Sequence, residues 1–588
     1  MFVLTAGLLV LATTTPPPGP ECEHGVPVEN QSSPSGPDCP GRLVVHDATC
    51  TEPGSAEPWK ARPNFHPGSR CHGENDPNGV MWFNGVYHLF FQDHVGGGTV
   101  GGHLASSDLV SWRRLPIAIW NNKWYDKQNV WTFSATLVNG TPTMVYPGLL
   151  KPNASLGGCR SECMTHSVAL PANLSDPWLM DWMKPEYNPT VVGVNRDPST
   201  AWQTATGEWR YTDVEQNIFS SLDFKSWKVV GRMDGFPGGE CPDFFETPPT
   251  CAGCDDTNTS AVQPTHVHAT THYQLGEYSD GEPQTTGSWL PFANWTDGQT
   301  PDVSELALDG GEKDNFYASK SFWDPSKRRR ILWGWIKTAN VLEPTQGFKA
   351  GMCPGVGQVM TNTNSLPRHV TYDPQLQRLR FFPVPEMEQL RQGKLAHGTR
   401  QSIKGPTPLL PSKAAQSEVR VRFAVPTRPA RLGVSVMVGA SAVQDGETAF
   451  AIDIFMDFVP ATSSAATKWT VNAGYNSSSM MCPSSTDGEG AERARRQGVP
   501  CPSKTGPLWL KAADEVLDFA VWTDNTVVEA FFMNGRSAWA IPLPCAAVSL
   551  AASGGGGVSV FADGDGATLL SATVFGVGSI VYDEVGPS

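Results

Sequence analysis

Asn75-Asp76-Pro77-Asn78-Gly79-Val80-Met81-Trp82-Phe83-Asn84-Gly85-Val86-Tyr87-His88-Leu89-Phe90-Phe91 is the stretch on which the fold is decided. Two runs rich in aromatic and β-branched residues flank Asn84-Gly85. Asn-Gly between such runs marks a hairpin, because both residues tolerate the left-handed backbone of a tight turn. The pattern recurs: Leu137-Val138 and Met144-Val145-Tyr146 flank Asn139-Gly140, and Phe322-Trp323 and Arg330-Ile331-Leu332-Trp333 flank Asp324-Pro325-Ser326. No long helical period interrupts residues 62 to about 340, so the reading is all-β: a sandwich, barrel or propeller. An internal echo favours the propeller. Ser107-Asp108-Leu109-Val110-Ser111-Trp112 returns as Leu222-Asp223-Phe224-Lys225-Ser226-Trp227, and stacked blades leave such repeats.

Outward from that core, Leu376 to Gln392 reads as a strand followed by a short connector helix. Near residue 410 a second pattern begins, with strict alternation in Glu418-Val-Arg-Val-Arg-Phe and in Ala449-Phe-Ala-Ile-Asp-Ile-Phe-Met. Alternation means strands with one buried face, and residues 410–588 read as a β-sandwich. The stretch Ala567 to Tyr582 reads as two strands. At 588 residues the chain exceeds one ordinary core. A net charge of −15 argues against nucleic acid or an anionic membrane as partner. Abundant Gly (58), Pro (50) and Trp (20) suit short strands, turns and aromatic surfaces for sugars.

The apolar run Met1 to Ala12 is too short to span a bilayer and precedes a Pro/Thr-rich stretch. It reads as a secretory signal within residues 1–20, followed by a Cys/Pro-rich leader over 21–60. A secreted or extracellular destination follows, and with it disulfides among the 13 cysteines. The odd count leaves at least one thiol over. Cys159 and Cys163, Cys251 and Cys254, and Cys482 and Cys501 are neighbours without a deducible pairing. Cys251-Ala-Gly-Cys254 lacks a second ligand pair at zinc spacing. Sequons at Asn30, Asn139, Asn153, Asn173, Asn258, Asn294 and Asn476 agree with a secretory route. His266, His268 and His272 are read as a solvated or hydrogen-bonded strand face, and Lys327-Arg-Arg-Arg330 as a solvated turn.

Three acidic motifs carry the chemistry: Asn75-Asp76-Pro77-Asn78-Gly79, Arg196-Asp197-Pro198 and Gly239-Glu240-Cys241-Pro242-Asp243. A retaining glycosidase needs an ionised nucleophile and a protonated acid about 5 Å apart. Asp76 is the candidate nucleophile, since a Pro-Asn-Gly turn offers N–H groups to a carboxylate. Glu240 is the candidate acid/base, with Asp243 as a neighbouring like charge. Asp197, beside Arg196, stays ionised and is suited to holding sugar hydroxyls.

In order, spacing and flanks the motifs resemble glycoside hydrolase family 32, the invertases and fructan hydrolases. Further segments are similar to that family: Arg62-Pro-Asn-Phe-His-Pro67, Val130 to Thr136, Phe316-Tyr-Ala-Ser-Lys320, Leu332-Trp-Gly-Trp335 and Val528 to Arg536. The resemblance implies a five-bladed β-propeller over residues 61–395 with an axial active site, followed by the β-sandwich. It implies Asp76 as nucleophile, Asp197 as transition-state stabiliser and Glu240 as acid/base. It implies fructosyl contacts from Asn75, Gln92, Phe133, Ser134, Arg196 and Trp335. The implied reaction is cleavage of terminal β-D-fructofuranosides, sucrose or fructans, through a covalent fructosyl-enzyme, with no metal or cofactor. The family's Trp-Met before Asn-Asp is Gly73-Glu74 here, its Trp-Gly-His is Gly101-Gly102-His103, and its aromatic-Gln-Pro is Phe65-His66-Pro67. Those changes bear on the aglycone and on the choice between water and a sugar as acceptor. Glu74 adds a charge close to Asp76 in sequence. Fructosyltransfer or fructan exohydrolysis on the same scaffold is the first rival, and a silent carbohydrate-binding propeller is the rival of another class.

Overall fold

The computed structural model describes residues 61–583 except 70–72, 96–97, 151–162, 234, 236–238, 252–263, 271, 292–314, 338–350, 354–355, 360–361, 443–446, 461–468 and 478–503. The signal and leader readings, Cys159, Cys254, Cys482 and Cys501, and sequons Asn30, Asn153, Asn258 and Asn294 lie outside the described residues. Sequons Asn139 and Asn173 sit on exposed turns.

Five antiparallel sheets follow one another along the chain as propeller blades. Blade 1 is Glu74–Phe83, Val86–Val95, Gly98–Ser106 and Ser111–Ile119. Blade 2 is Ser134–Val138, Thr141–Leu150, Cys163–Pro171 and Trp182–Met183, with Asn129–Val130 and Val191–Val194 paired alongside. Blade 3 is Trp202–Gln203, Trp209–Thr212, Asn217–Ser221 and Lys228–Arg232. Blade 4 is Asp243–Glu246, His266–Ala269, Tyr273–Ser279 and Ser288–Pro291. Blade 5 is Phe316–Asp324, Arg329–Lys337, Arg368–Asp373 and Arg378–Pro383. The hairpin turns form where Asn-Gly predicts them. Asn84 and Gly85 have φ 47° and 88°, and Asn139 and Gly140 have φ 49° and 81°.

The echo is real. Ser106 Oγ accepts from Leu109 N (2.7 Å), Asp108 Oδ1 from Ser111 N (2.6 Å), and Trp112 Nε1 donates to Leu109 O (3.1 Å). The same bonds recur: Ser221 Oγ accepts from Phe224 N (2.9 Å), Asp223 Oδ1 from Ser226 N (2.9 Å), and Trp227 Nε1 donates to Phe224 O (3.3 Å). Both turns join the third and fourth strands of their blades. Blade 2 holds a longer relative there, in which Trp182 Nε1 donates to Leu179 O (2.8 Å).

Several expectations are corrected. Asp76-Pro77-Asn78-Gly79 is not a reversing turn; it lies inside the first strand of blade 1, where the register with Val86–Val95 slips on both sides of Pro77-Asn78. Pro77 has no N–H for the ladder, and Gly79 N turns instead to Phe133 O of blade 2 (3.0 Å). Lys327-Arg-Arg-Arg330 is a solvated turn only in its first half. Arg329 is buried against Asp324 (3.0 Å) and Glu386 (2.7 Å), and the Arg330 guanidinium lies 4.1 Å from the Phe245 ring centre. Charge pairing and ring stacking make that burial tolerable. His266 stacks on Phe244 at 5.0 Å and its Nδ1 bonds Thr265 Oγ1 (3.0 Å), which keeps the hydrogen-bonded half of the expectation, while His268 is buried with its pKa pulled down to about 3 by desolvation.

The connector Pro385–Leu390 is a six-residue 3-10 helix. A seven-stranded sheet starts at Arg391–Gly398 and runs through Ala567–Val577, Gln416–Ala424, Val516–Asp524, Val527–Phe532 and Ser537–Pro542, with Gln401–Ile403 also on Ala567–Val577. Residues 391–403 thus pair with the sandwich rather than the propeller, because their partner strand lies there. The facing sheet is Thr407–Leu410, Gly557–Ala562, Ala430–Ala442, Glu447–Pro460, Trp469–Ser477 and Lys504–Pro507. Val419, Val421 and Phe423 alternate into the core between the sheets, as their pattern predicts. The final strand Val581–Asp583 crosses back and pairs in parallel with Ser111–Ile119 of blade 1.

The two units are joined by buried charge. Asp524 of the sandwich accepts from the N–H groups of Asn64 (2.7 Å) and Phe65 (2.8 Å) and bonds the His66 ring (2.7 Å). His66 Nε2 meets Glu529 (3.0 Å), whose other oxygen takes Arg368 Nε (3.1 Å). Phe65-His66-Pro67 therefore belongs to the contact between units.

Candidate active site

Each blade brings the start of its first strand, or the residues just before it, to one end of the propeller. Asp76 lies in the first strand of blade 1 and Thr132 just before that of blade 2. Arg196-Asp197 precedes the first strand of blade 3, Glu240-Cys241 that of blade 4, and Tyr317 opens blade 5. The repeat thus converges residues that are far apart in the chain.

Asp76 Oδ2 accepts from Thr132 Oγ1, from Gln92 Nε2 (3.2 Å) and from the Cys241 thiol (3.4 Å). The same sulfur lies 3.8 Å from Asp197 Oδ2, which also accepts from Cys241 N (3.1 Å). Asp197 and Cys241 are both left-handed, with φ 63° and 55°. Non-glycine residues held there carry local strain, and such strain clusters at working sites. Glu240 is more open. Its carboxylate takes Arg196 Nη2 on Oε1 and the Tyr317 hydroxyl on Oε2. Arg196 Nε stands 3.7 Å from Asp197 Oδ2, and its guanidinium lies 5.7 Å from the Trp131 ring centre.

The three carboxyls are pushed in different directions. Burial raises Asp76 above the usual aspartate range, against the pull of Thr132, Cys241 and Lys337. Burial and then the Asp76 charge push Asp197 up to about 7. Burial also pushes Glu240 upward, but the Tyr317 hydroxyl and Arg196 outweigh it and hold Glu240 below the glutamate range. The resting site therefore keeps its most accessible carboxyl ionised. Asp243 is not the like charge beside Glu240. It is buried, and its Oδ2 accepts from Ser321 N (2.9 Å) and Oγ (2.5 Å), tying blade 4 to blade 5.

Asp76, Asp197, Glu240, Gln92 and Arg196 come together in one network. Asn75 is buried next to Asp76 and its Oδ1 has no hydrogen-bond partner among the described residues. Trp335 flanks the site through Tyr317, ring centres 6.3 Å apart. Phe133 and Ser134 are placed differently. Phe133 is fully buried against Phe90, with ring centres 6.1 Å apart, and its ring would meet a Cβ on Gly101 at 3.1 Å. Ser134 Oγ donates to Pro198 O (2.7 Å) and steadies the Asp197 bend. Glu74, a neighbour of Asp76 in sequence, turns the other way to Ser69 N and Asn364 N (3.1 Å). Sequence reasoning passed over Thr132, Cys241, Tyr317 and Lys337. The first three lie inside motifs quoted for other residues; Lys337 carries no signal of its own. Among the described residues Cys241 is the free cysteine, while Cys251 and Cys545 are disulfide-bonded. No group of three or more His, Cys, Asp or Glu among the described residues is arranged to hold a metal ion.

A five-bladed propeller with a β-sandwich and a carboxylate cluster at one end of the blades defines a glycosidase. Residues 68–383 match the Glycosyl hydrolases family 32 N-terminal domain, and the chain belongs to that family. It is 30% identical over 521 residues to a β-fructofuranosidase, insoluble isoenzyme 1, of Daucus carota, covering 79% of this chain and 80% of the relative. It is 34% identical over 405 residues to the insoluble isoenzyme CWINV4 of Arabidopsis thaliana, covering 62% of each. The crystal structure of fructan 1-exohydrolase IIa from Cichorium intybus shares the fold, with TM-score 0.68 and 23% identity over 90% of this chain and 99% of that one.

Proposed function

We propose that the protein is a retaining β-fructofuranosidase acting on sucrose, fructans or both. The observation that carries the reading is the single network in which the Cys241 thiol touches Asp76 and Asp197 while Glu240, its chain neighbour, stands open beside Arg196. Asp76 attacks the anomeric carbon of the fructosyl unit. That carbon's bond to the leaving oxygen breaks, and Glu240 gives the oxygen its proton. Water then attacks the fructosyl-enzyme, Glu240 takes the water's proton and Asp76 departs. Asp197, with Asn75, holds sugar hydroxyls while charge builds on the ring. Because the resting Glu240 is ionised by Arg196 and Tyr317, substrate binding has to loosen the Arg196 pair before the acid can be protonated.

Residues 61–390 form the catalytic unit in this reading, the sandwich supports it, and the signal over residues 1–20 takes the chain into the secretory pathway. Incubation with sucrose, inulin and levan tests the activity. Equimolar glucose and fructose from sucrose is expected; glucose in excess with longer products would mean transfer, and no release with binding retained would mean a silent scaffold. Trapping in methanol should yield the methyl β-fructofuranoside if configuration is retained. Asp76→Ala should abolish turnover. Glu240→Gln should slow sucrose by about 10²–10⁴-fold while sparing an aryl fructoside whose leaving group needs no proton. An active Asp76→Ala would overturn the assignment.

A further inference from the structure

We propose that Lys337 is a positioning residue for this reaction: its ammonium seats on the Tyr317 ring, steadies the hydroxyl that Tyr317 gives to Glu240, and adds a positive charge to the carboxylate centre. The inference rests on the fructosidase reading. Strands Phe316–Asp324 and Arg329–Lys337 are antiparallel, with Tyr317 opposite Trp335. Ile336 is buried in the core, so Trp335 and Lys337 share the other face. Lys337 Nζ lies 3.4 Å from the Tyr317 ring centre and 4.8 Å from that of Trp335, inside the range where a ring face attracts a cation. The two aromatic rings meet nearly edge-on, at 71°, so one cation serves both. Its backbone N–H donates to Asn315 O (3.0 Å), which fixes the strand end that carries it.

The charged and titratable groups facing this centre come from four blades. Glu240 faces Arg196, Tyr317 and Lys337, and Asp76 faces Thr132, the Cys241 thiol and Lys337. Asp197 faces Asp76, Arg196 and Lys320, whose ammonium donates to Pro242 O (2.8 Å). Lys337 acts on both Asp76 and Glu240, and in each case it favours the ionised form. Removing it disfavours ionisation of both, so both limbs of a bell-shaped profile move to higher pH together. A side chain that merely packed would alter stability or KM without moving two limbs in step.

The test is the pH profile of kcat/KM on sucrose for the full-length protein and its Lys337→Met, Lys337→Gln and Lys337→Arg variants. The neutral variants should shift both limbs upward by roughly 0.5–1 pH, and Lys337→Arg should restore the original position. Unmoved limbs in a folded neutral variant, or an equal shift in Lys337→Arg, would overturn the proposal. If neither neutral variant folds, the role is structural and the proposal falls. An unaltered protein that releases no fructose from sucrose, inulin or levan defeats the functional reading instead, so the two failures are distinguishable.

Discussion

At the scale of single residues, the site is built from groups that the solvent would rather reclaim. Asp197 is buried, left-handed and close to Asp76, and its carboxyl is pushed up to about 7. Well below pH 4 it is neutral in both the folded and the unfolded chain, so its burial costs little. As pH rises from about 4 to 7 the unfolded chain ionises first, and folding stability falls over that window. Asp197→Asn should therefore raise Tm by a few degrees near pH 8, with the gain fading towards pH 4, while turnover is lost; equal melting curves at both pH values would contradict this. The three carboxylates were legible in the sequence because each sits in a short motif of turn-forming residues. Their partners were harder to see. Tyr317 is 77 positions from Glu240, and nothing local to Lys337 announces the rings it rests on. Phe133 and Ser134, expected as sugar contacts, also carry structural bonds: Phe133 packs on Phe90 and Ser134 Oγ donates to Pro198 O at the Asp197 bend.

At the scale of elements, the turn between third and fourth strands is the unit that repeats. Leu109, Leu179 and Phe224 all take left-handed backbone, with φ 68°, 48° and 62°, and each accepts an indole N–H from the Trp three positions on. Two of the three turns were visible as an echo because their Asp immediately precedes the left-handed residue. In blade 2 Pro177 and Trp178 separate Asp176 from Leu179, so spacing hid a kinship that hydrogen bonds reveal. Asp108→Ala and Asp223→Ala should each cost about 1 kcal/mol in denaturant unfolding, since each strips an acceptor from two backbone N–H groups. A cost confined to one of them would break the equivalence. The first strands show the opposite relation between sequence and structure. Asp-Pro-Asn-Gly looks like a reversal, but the neighbouring blade supplies the hydrogen bonds that keep it extended.

At the scale of the whole molecule, His66 is the residue on which the two units meet. Burial pulls its pKa down, yet Asp524 and Glu529 push it up to about 9. A histidine raised in the folded state stabilises fully below its unfolded value near 6.5, and that contribution is lost as pH climbs through about 9. Melting followed from about pH 6 to 10 should show this alkaline loss, and His66→Ala should remove it while costing about 3–5 kcal/mol, because two carboxylates would stay buried with one cation fewer. A His66→Ala protein as stable as the parent would refute the role. The sequence could not show it, since the partners stand 458 and 463 positions away. One further tie has a temporal meaning. Ser111–Ile119, the outer edge of the blade synthesised first, finds its last neighbour only in Val581–Asp583. During translation that edge stays open to stray strands until nearly five hundred more residues have emerged from the ribosome, so the earliest blade to be made is the last to be sealed.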